Sequence, residues 1–166
     1  VIVIDVGCAR YGGDYSVERL WEWYKPDRLI GYDPAAEMED MAEALADMVP
    51  PGTVLELHRE AAWVYDGTIG YFADGLNSQI GDNPAWPPMP CVDLARVIAE
   101  LPEPIILKLD AEGAEYELLE HLLATGTINR LQRILVEWHP TGQGKRRRAI
   151  EQALRREGVV WEQWRW

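Results

Sequence analysis

The sequence predicts an α/β fold: a mostly parallel central sheet with helices on both faces. Three observations lead there. Short, β-branched apolar runs alternate along the chain with segments whose apolar residues recur at helical spacing. The runs read as strands buried on both faces, since they are almost continuously apolar rather than alternating. The 166 residues show no internal repeat and no low-complexity tract, and that length suits one domain over 1–166 with a sizeable core.

The elements follow in order. "VIVIDV" (1–6), with Asp5 near its end, reads as the first strand. Val17, Leu20, Trp21 and Tyr24 share one helix face; Ser16 or Asp14 caps that helix and Pro26 ends it. "RLIGYD" (28–33) is the second strand. Met38, Met41, Ala42 and Leu45 mark the next helix, stopped by Pro50-Pro51-Gly52. "TVLELH" (53–58) is a third strand and "GTIGYF" (67–72) a short additional one. The stretch 73–90 carries four prolines and reads as a long irregular loop, which in a compact domain is usually functional. Leu94, Val97, Ile98 and Leu101 form a helical stripe closed by Pro102. "PIILKLD" (104–110) is the next central strand, and Leu119, Leu122 and Leu123 mark the helix after it. "RILVEW" (133–138), a charged helix over 145–157 and "VVWEQW" (159–164) complete the pattern. Val1 already lies inside a strand-like run, so the start codon and further N-terminal residues are expected to be missing.

A net charge of −12 argues against nucleic-acid partners and against anionic membranes, both of which select clustered Lys and Arg. Lys145-Arg146-Arg147-Arg148 reads instead as a solvated helix face. No apolar run approaches the roughly 20 residues of a membrane helix, and no signal peptide is visible. Cys8 and Cys91, at no metal-like spacing, suggest a reducing compartment, so a cytoplasmic location is expected.

In open parallel sheets, ligands bind outside the carboxyl ends of the strands. There the sequence places Asp5, Gly7, Gly12 and Gly13 after the first strand and Asp33 after the second. The glycines allow close backbone approach to a ligand, although the spacing is not G-x-G-x-x-G. Asp33 suits the two hydroxyls of a nucleoside ribose or, equally, a helix N-cap. Asp110 follows the central strand; Glu137 and His139 follow the next. Glu112 and Glu115 suit the first turn of a helix, complementing its dipole. Lys108, inside a central strand, needs a partner, for which Glu112, Glu115 and Glu137 are the candidates.

"LKLDAEGAEYELLEHLL" followed by "RILVEWH" resembles the FkbM family of S-adenosylmethionine-dependent methyltransferases, whose pattern K-x-D-x-E-G-x-E precedes an apolar strand ending in Glu. Lys108, Asp110, Glu112, Gly113, Glu115 and Glu137 stand in the matching places. "IDVGCARYGGDYS" is similar to the family's D-V-G-A-N-x-G-x-x-S loop, with about two more residues between Gly7 and Gly12 and with Cys8-Ala9 for Ala-Asn. "IGYDP" and "CVDL" match further steps, so the likeness runs over roughly residues 2 to 160. It implies a Rossmann-like class I methyltransferase fold, whose sheet would add a final antiparallel strand; here that strand is either the last one or missing. The resemblance also implies S-adenosyl-L-methionine as cofactor. The implied cofactor-binding residues are Asp5, Gly7 and Cys8 beneath the methionine part, Asp33 with Pro34 at the ribose, Glu60 and Ala61 beside the adenine, and Asp110 facing the sulfonium or the acceptor.

The implied reaction is methylation of a hydroxyl on a small molecule or glycan. An alcohol must lose its proton as it attacks. Asp110 and His139 are the catalytic candidates for that base, with a satisfied strand-end histidine as the alternative for His139. A metal site of Asp110, Glu137 and His139 has suitable ligand types, but nothing in the spacing demands one and none is expected. The acceptor is expected at 73–90, where Asn77, Ser78 and Trp86 offer stacking and hydrogen bonds. Two other readings compete: a nicotinamide-dependent oxidoreductase or epimerase, weakened by the missing glycine fingerprint, and a binding module that kept the fold without turnover. Oligomeric state stays open, since Trp161, Trp164 and Trp166 suit either an exposed pairing edge or inward packing.

Overall fold

The computed structural model describes residues 1–9, 16–35, 38, 41, 45, 49–75, 78–139 and 142–165. Its main sheet has six strands: β1 (Ile2–Val6), β2 (Arg28–Tyr32), β3 (Val54–His58), β8 (Ile105–Leu109), β9 (Leu131–Val136) and β10 (Trp161–Gln163). They lie in the order β10-β9-β8-β1-β2-β3, and every neighbouring pair is parallel. The chain builds outward from β1 in one direction, then returns to β8 and builds outward in the other. The boundary between β1 and β8 is therefore a switch point, beyond whose carboxyl ends a ligand crevice forms in a Rossmann-like sheet. The last strand runs parallel to β9, so it is not the antiparallel strand that the resemblance allowed for.

The period of two along each strand sorts the core into two layers. Ile2, Ile4 and Val6, with Ile105, Leu107 and Leu109, face α2 (Leu94–Glu100), α3 (Glu115–Thr125) and α4 (Gly144–Arg156), meeting Ile98, Leu119, Leu122 and Leu154. Val3, Leu29, Ile106 and Leu135 face the other side, against Val17 and Leu20 of α1 (Ser16–Tyr24). Helical, buried Met38, Met41 and Leu45 pack there too; Ala42 lies outside the described residues. Trp164 is also on this side, its ring 5.4 Å from that of Trp23, while Trp161 meets Trp138 edge-on at 6.5 Å. These two tryptophans pack inward. Trp166 lies outside the described residues. Among the described residues no helix is long and apolar enough to cross a membrane.

A second sheet corrects the reading of 73–90 as irregular. Its strands are β4 (Ala61–Trp63), β5 (Gly67–Phe72), β6 (Gln79–Gly81) and β7 (Pro88–Asp93), in the order β4-β7-β5-β6. The prolines concealed β7, because a proline donates no ladder hydrogen bond. Residues 88–90 pair only with β5, since β4 joins β7 at Cys91–Asp93. Pro88 and Pro90, two residues apart, turn their nitrogens toward that open side. Trp86 fixes the turn before β7 by stacking on Phe72 at 5.8 Å.

The strand ends at the switch point are bound to one another. The Gly7 amide donates to the Tyr32 carbonyl (2.9 Å), that of Asp110 to Val6 (3.1 Å) and that of Glu137 to Leu109 (2.9 Å). Gly7 has φ +76°, and a Cβ built on it would lie 1.7 Å from the Asp110 carbonyl oxygen. Both the conformation and the space demand glycine. Gly7→Ala should therefore cost about 4 kcal/mol or more, at the upper end of single-substitution effects. A urea denaturation midpoint indistinguishable from that of the parent chain would refute this.

Candidate active site

The first structural consequence of this topology is a buried charge cluster. The parallel register sets Asp5 opposite Lys108 on the α1 side of the sheet, both wholly inaccessible. Lys108 Nζ lies 3.0 Å from Asp5 Oδ1 and 3.4 Å from Asp110 Oδ2, and it donates to the Gly7 carbonyl at 2.7 Å. Among the described residues, Lys108 thus forms its ion pairs with Asp5 and Asp110, where sequence spacing suggested glutamates. Sequence separation hid Asp5, which only the β1–β8 register brings close. Ser16 donates its hydroxyl to Asp5 Oδ2 at 2.5 Å, spending its side chain on this carboxylate; Asp14, the other capping candidate, lies outside the described residues. Burial pushes the Asp5 carboxyl up to about 6 against the pull of Lys108 and Ser16. Burial also opposes the Lys108 charge, but Asp5 and Asp110 outweigh it and raise its pKa. Both groups are charged at neutral pH, and a buried pair of this kind is destabilised chiefly by removal of one partner.

Above the cluster opens a cleft lined by Gly7, Asp33, Pro34, Ala61, Tyr71 and Asp110, among others. Five residues expected at the cofactor thus converge there: Gly7, Asp33, Pro34, Ala61 and Asp110. The other three do not line it. Asp5 lies beneath as the partner of Lys108. Cys8 turns its thiol into the core, 3.6 Å from the Met38 sulfur, and burial pushes that thiol well up. Glu60 lies outside, its carboxylate 3.6 Å from His58 Nδ1. Asp33 accepts from the Ala9 amide (3.0 Å) and the Ala35 amide (2.9 Å); burial raises its pKa, and these two bonds offset part of the rise. Tyr71 and Ile80 of the second sheet, with Ser78 just before β6, close the far wall. Tyr71 lies on the strand expected at 67–72 and Ile80 on one that the sequence did not reveal; neither was expected at the site, because the pairing of β5 with β6 and β7 was not legible. Of the residues expected at the acceptor, Ser78 lines this cleft, Trp86 anchors the second sheet instead, and Asn77 lies outside the described residues.

A second cleft adjoins the first, lined by Trp63, Gln79, Asp82, Glu112, Glu117 and Gln143 with their neighbours. Ile80 belongs to both. His139 lines neither cleft but touches a lining residue of each, Asp110 of the first and Glu112 of the second. Its backbone amide donates to Glu115 Oε1 at 2.8 Å, and its carbonyl accepts from the Tyr116 hydroxyl at 3.0 Å. Its Nδ1 is 3.2 Å from the same Glu115 oxygen; its Nε2 is 3.3 Å from Glu112 and 3.7 Å from Asp110. Glu115 is fully buried, so it holds His139 rather than merely complementing a helix dipole. Glu112 is not helical at all: its φ of +48° turns the carboxylate back toward the imidazole.

Burial disfavours the imidazolium, but Glu112 and Glu115 outweigh it and push the His139 pKa up to about 10. At neutral pH the ring is therefore a cation, which is the wrong state for a general base. The carboxylates that sequence reading treated separately are the cause. Among the described residues, the carboxylates within ion-pairing distance of His139 are Asp110, Glu112 and Glu115.

Two predictions follow from these charges. Lys108→Met should destabilise the chain by about 3–5 kcal/mol, while Asp5→Asn/Lys108→Met should recover part of the loss; a double variant no more stable than the single one would refute the pairing. His139 has a folded pKa above its unfolded value, so its contribution is complete below about pH 6.5 and is lost as pH rises through about 10. Urea stability should thus fall by up to about 1.4 kcal/mol per pH unit between roughly pH 7 and 8.5. In His139→Gln that slope should flatten; an unchanged slope would mean that the imidazole is not held charged.

With the geometry established, comparison with known proteins gives one finding. A family model, the methyltransferase FkbM domain, matches residues 75–159, just over half of the chain. That span contains Asp110, Glu112, Glu115 and His139 and excludes Asp5, Gly7 and Asp33. No curated protein and no solved structure matches. The chain belongs to the FkbM methyltransferase domain family.

Proposed function

We propose that this chain is an S-adenosyl-L-methionine-dependent methyltransferase that acts on a hydroxyl of a small molecule or glycan. The observation that carries the reading is the cleft at the β1–β8 switch point, where Gly7, Asp33, Pro34, Ala61 and Asp110 meet. These residues fit the cofactor. Each Asp33 oxygen accepts one backbone amide and keeps acceptor capacity for a ribose hydroxyl. Ala61, Ala62 and Tyr71 give apolar wall for an adenine, and Gly7 presents no side chain. When bound, S-adenosylmethionine supplies a methyl group on a sulfonium, a good leaving group for in-line displacement.

The protein's own share is alignment and proton removal. Asp110 lies between Lys108 and His139 at the seam of the two clefts and takes the acceptor's hydroxyl proton. The charged His139 cannot take it. The second cleft holds the acceptor: Gln79, Asp82, Glu117 and Gln143 offer hydrogen-bonding groups for a hydroxyl-rich molecule, and the carboxylates disfavour an anionic one.

The strand order is also that of dinucleotide-binding sheets, which keeps the nicotinamide reading as the competitor. Calorimetric titration with S-adenosylmethionine, S-adenosylhomocysteine and NADH separates the two. The first two ligands should bind, and Asp33→Ala, with its melting checked in parallel, should weaken them at least about tenfold. Binding of NADH alone would overturn the proposal in favour of the oxidoreductase reading. Binding of none would leave a non-catalytic module.

A further inference from the structure

We propose that Asp110, Glu112 and His139 form a binding site for a divalent metal ion of the manganese or magnesium type, placed to hold the acceptor's oxygen. One ligand atom from each of the three lies within 4.8 Å of the others, a spacing that lets them close on a single ion. Two carboxylate oxygens and one imidazole nitrogen are the donor set of oxygen-preferring first-row metals, and three protein ligands leave positions open for substrate.

The histidine carries a second, separate sign. Metal-bound imidazoles donate their other ring N–H to a carboxylate, which fixes the tautomer and aims the ligating nitrogen. Glu115 is outside the donor set and fully buried, and it takes both the backbone amide and Nδ1 of His139. Nε2 is thereby directed at Glu112 and Asp110, and an ion entering there takes the place of its proton, which is released to solvent. The three donors remain partly exposed, with side-chain accessibilities of 11% for Asp110, 32% for Glu112 and 18% for His139, so an ion can enter.

The position gives the site its use. Asp110 lines the cleft assigned to the cofactor and Glu112 the one assigned to the acceptor. An ion held there would leave coordination positions for a hydroxyl oxygen entering from the second cleft, and by lowering that hydroxyl's pKa would ease transfer of its proton to the free Asp110 oxygen. An acceptor with two neighbouring oxygens, such as a vicinal diol, would chelate such an ion. This use rests on the methyltransferase reading; the binding of the ion does not.

The test is titration of the purified, metal-stripped chain with manganese(II) chloride, followed by calorimetry and by the electron paramagnetic resonance signal of free Mn²⁺. One saturable site per chain is expected. Glu112→Gln and His139→Gln should each weaken it at least tenfold, and Glu115→Gln should weaken it while leaving all three ligands in place. Glu112→Gln alters a partly exposed side chain, so its fold should survive, which melting verifies. No saturable binding, or binding unchanged in Glu112→Gln and His139→Gln, overturns the proposal. Manganese binding by a chain that ignores S-adenosylmethionine would uphold the site and sink the methyltransferase reading. The reverse pattern would do the opposite.

Discussion

The contact on which the rest of the structure depends is the Asp5–Lys108 pair across the β1–β8 boundary. A wholly buried ammonium needs compensating oxygens, and the parallel register delivers them. Asp5 comes from the facing strand, Asp110 from two residues on, and the Gly7 carbonyl from the loop above. Lys108 thereby ties together the ends of two strands that the chain reaches a hundred residues apart. A ligand crevice at a switch point has no helix or hairpin to fix its floor, and here the charge pair does so.

The same logic applies one strand further out. Glu115 opens α3 and reaches over to His139 beyond β9, while Tyr116 takes the His139 carbonyl. Two consecutive helix residues hold one loop residue by backbone and side chain together. The pattern K-x-D-x-E-G-x-E is then intelligible as a stack of attachments. Lys108 points down to Asp5, Asp110 into the cleft, Glu112 back across the turn and Glu115 sideways to the next loop. Gly113, with φ +108°, permits the turn that separates the last two, and its amide donates to Glu115.

The main sheet was legible because its strands are buried on both faces and therefore nearly unbroken apolar runs, from "VIVID" to "RILVEW". Of the second sheet only β5, at 67–72, was. β4 and β6 have three residues each, and β7 opens with prolines that are tolerated only because one side of the strand is unpaired there. Ile80 belongs to one of these hidden strands, so part of the cleft wall was hidden with them. At the site, residue types at strand ends were readable, since position along a strand is local information. Pairing was not, because Lys108–Asp5 and Glu115–His139 depend on register and on helix placement, which no spacing encodes. The state of His139 was lost for the same reason: its pKa is set by carboxylates whose convergence is a property of the folded chain.

The family match begins at residue 75, and its boundary has a structural meaning. The matched half contains β8, α3 and β9, hence Asp110, Glu112, Glu115 and His139. The unmatched half contributes β1, β2 and β3, with Gly7 and Asp33. A divergent glycine loop in the first half would leave a free-standing crevice misaligned with the chemistry in the second. Lys108 prevents that, because the ammonium that neutralises Asp110 also grips the Gly7 carbonyl. Any displacement of Gly7 must stretch a bond to the group that also holds Asp110, so one buried cation ties the start of the loop after β1 to the end of β8.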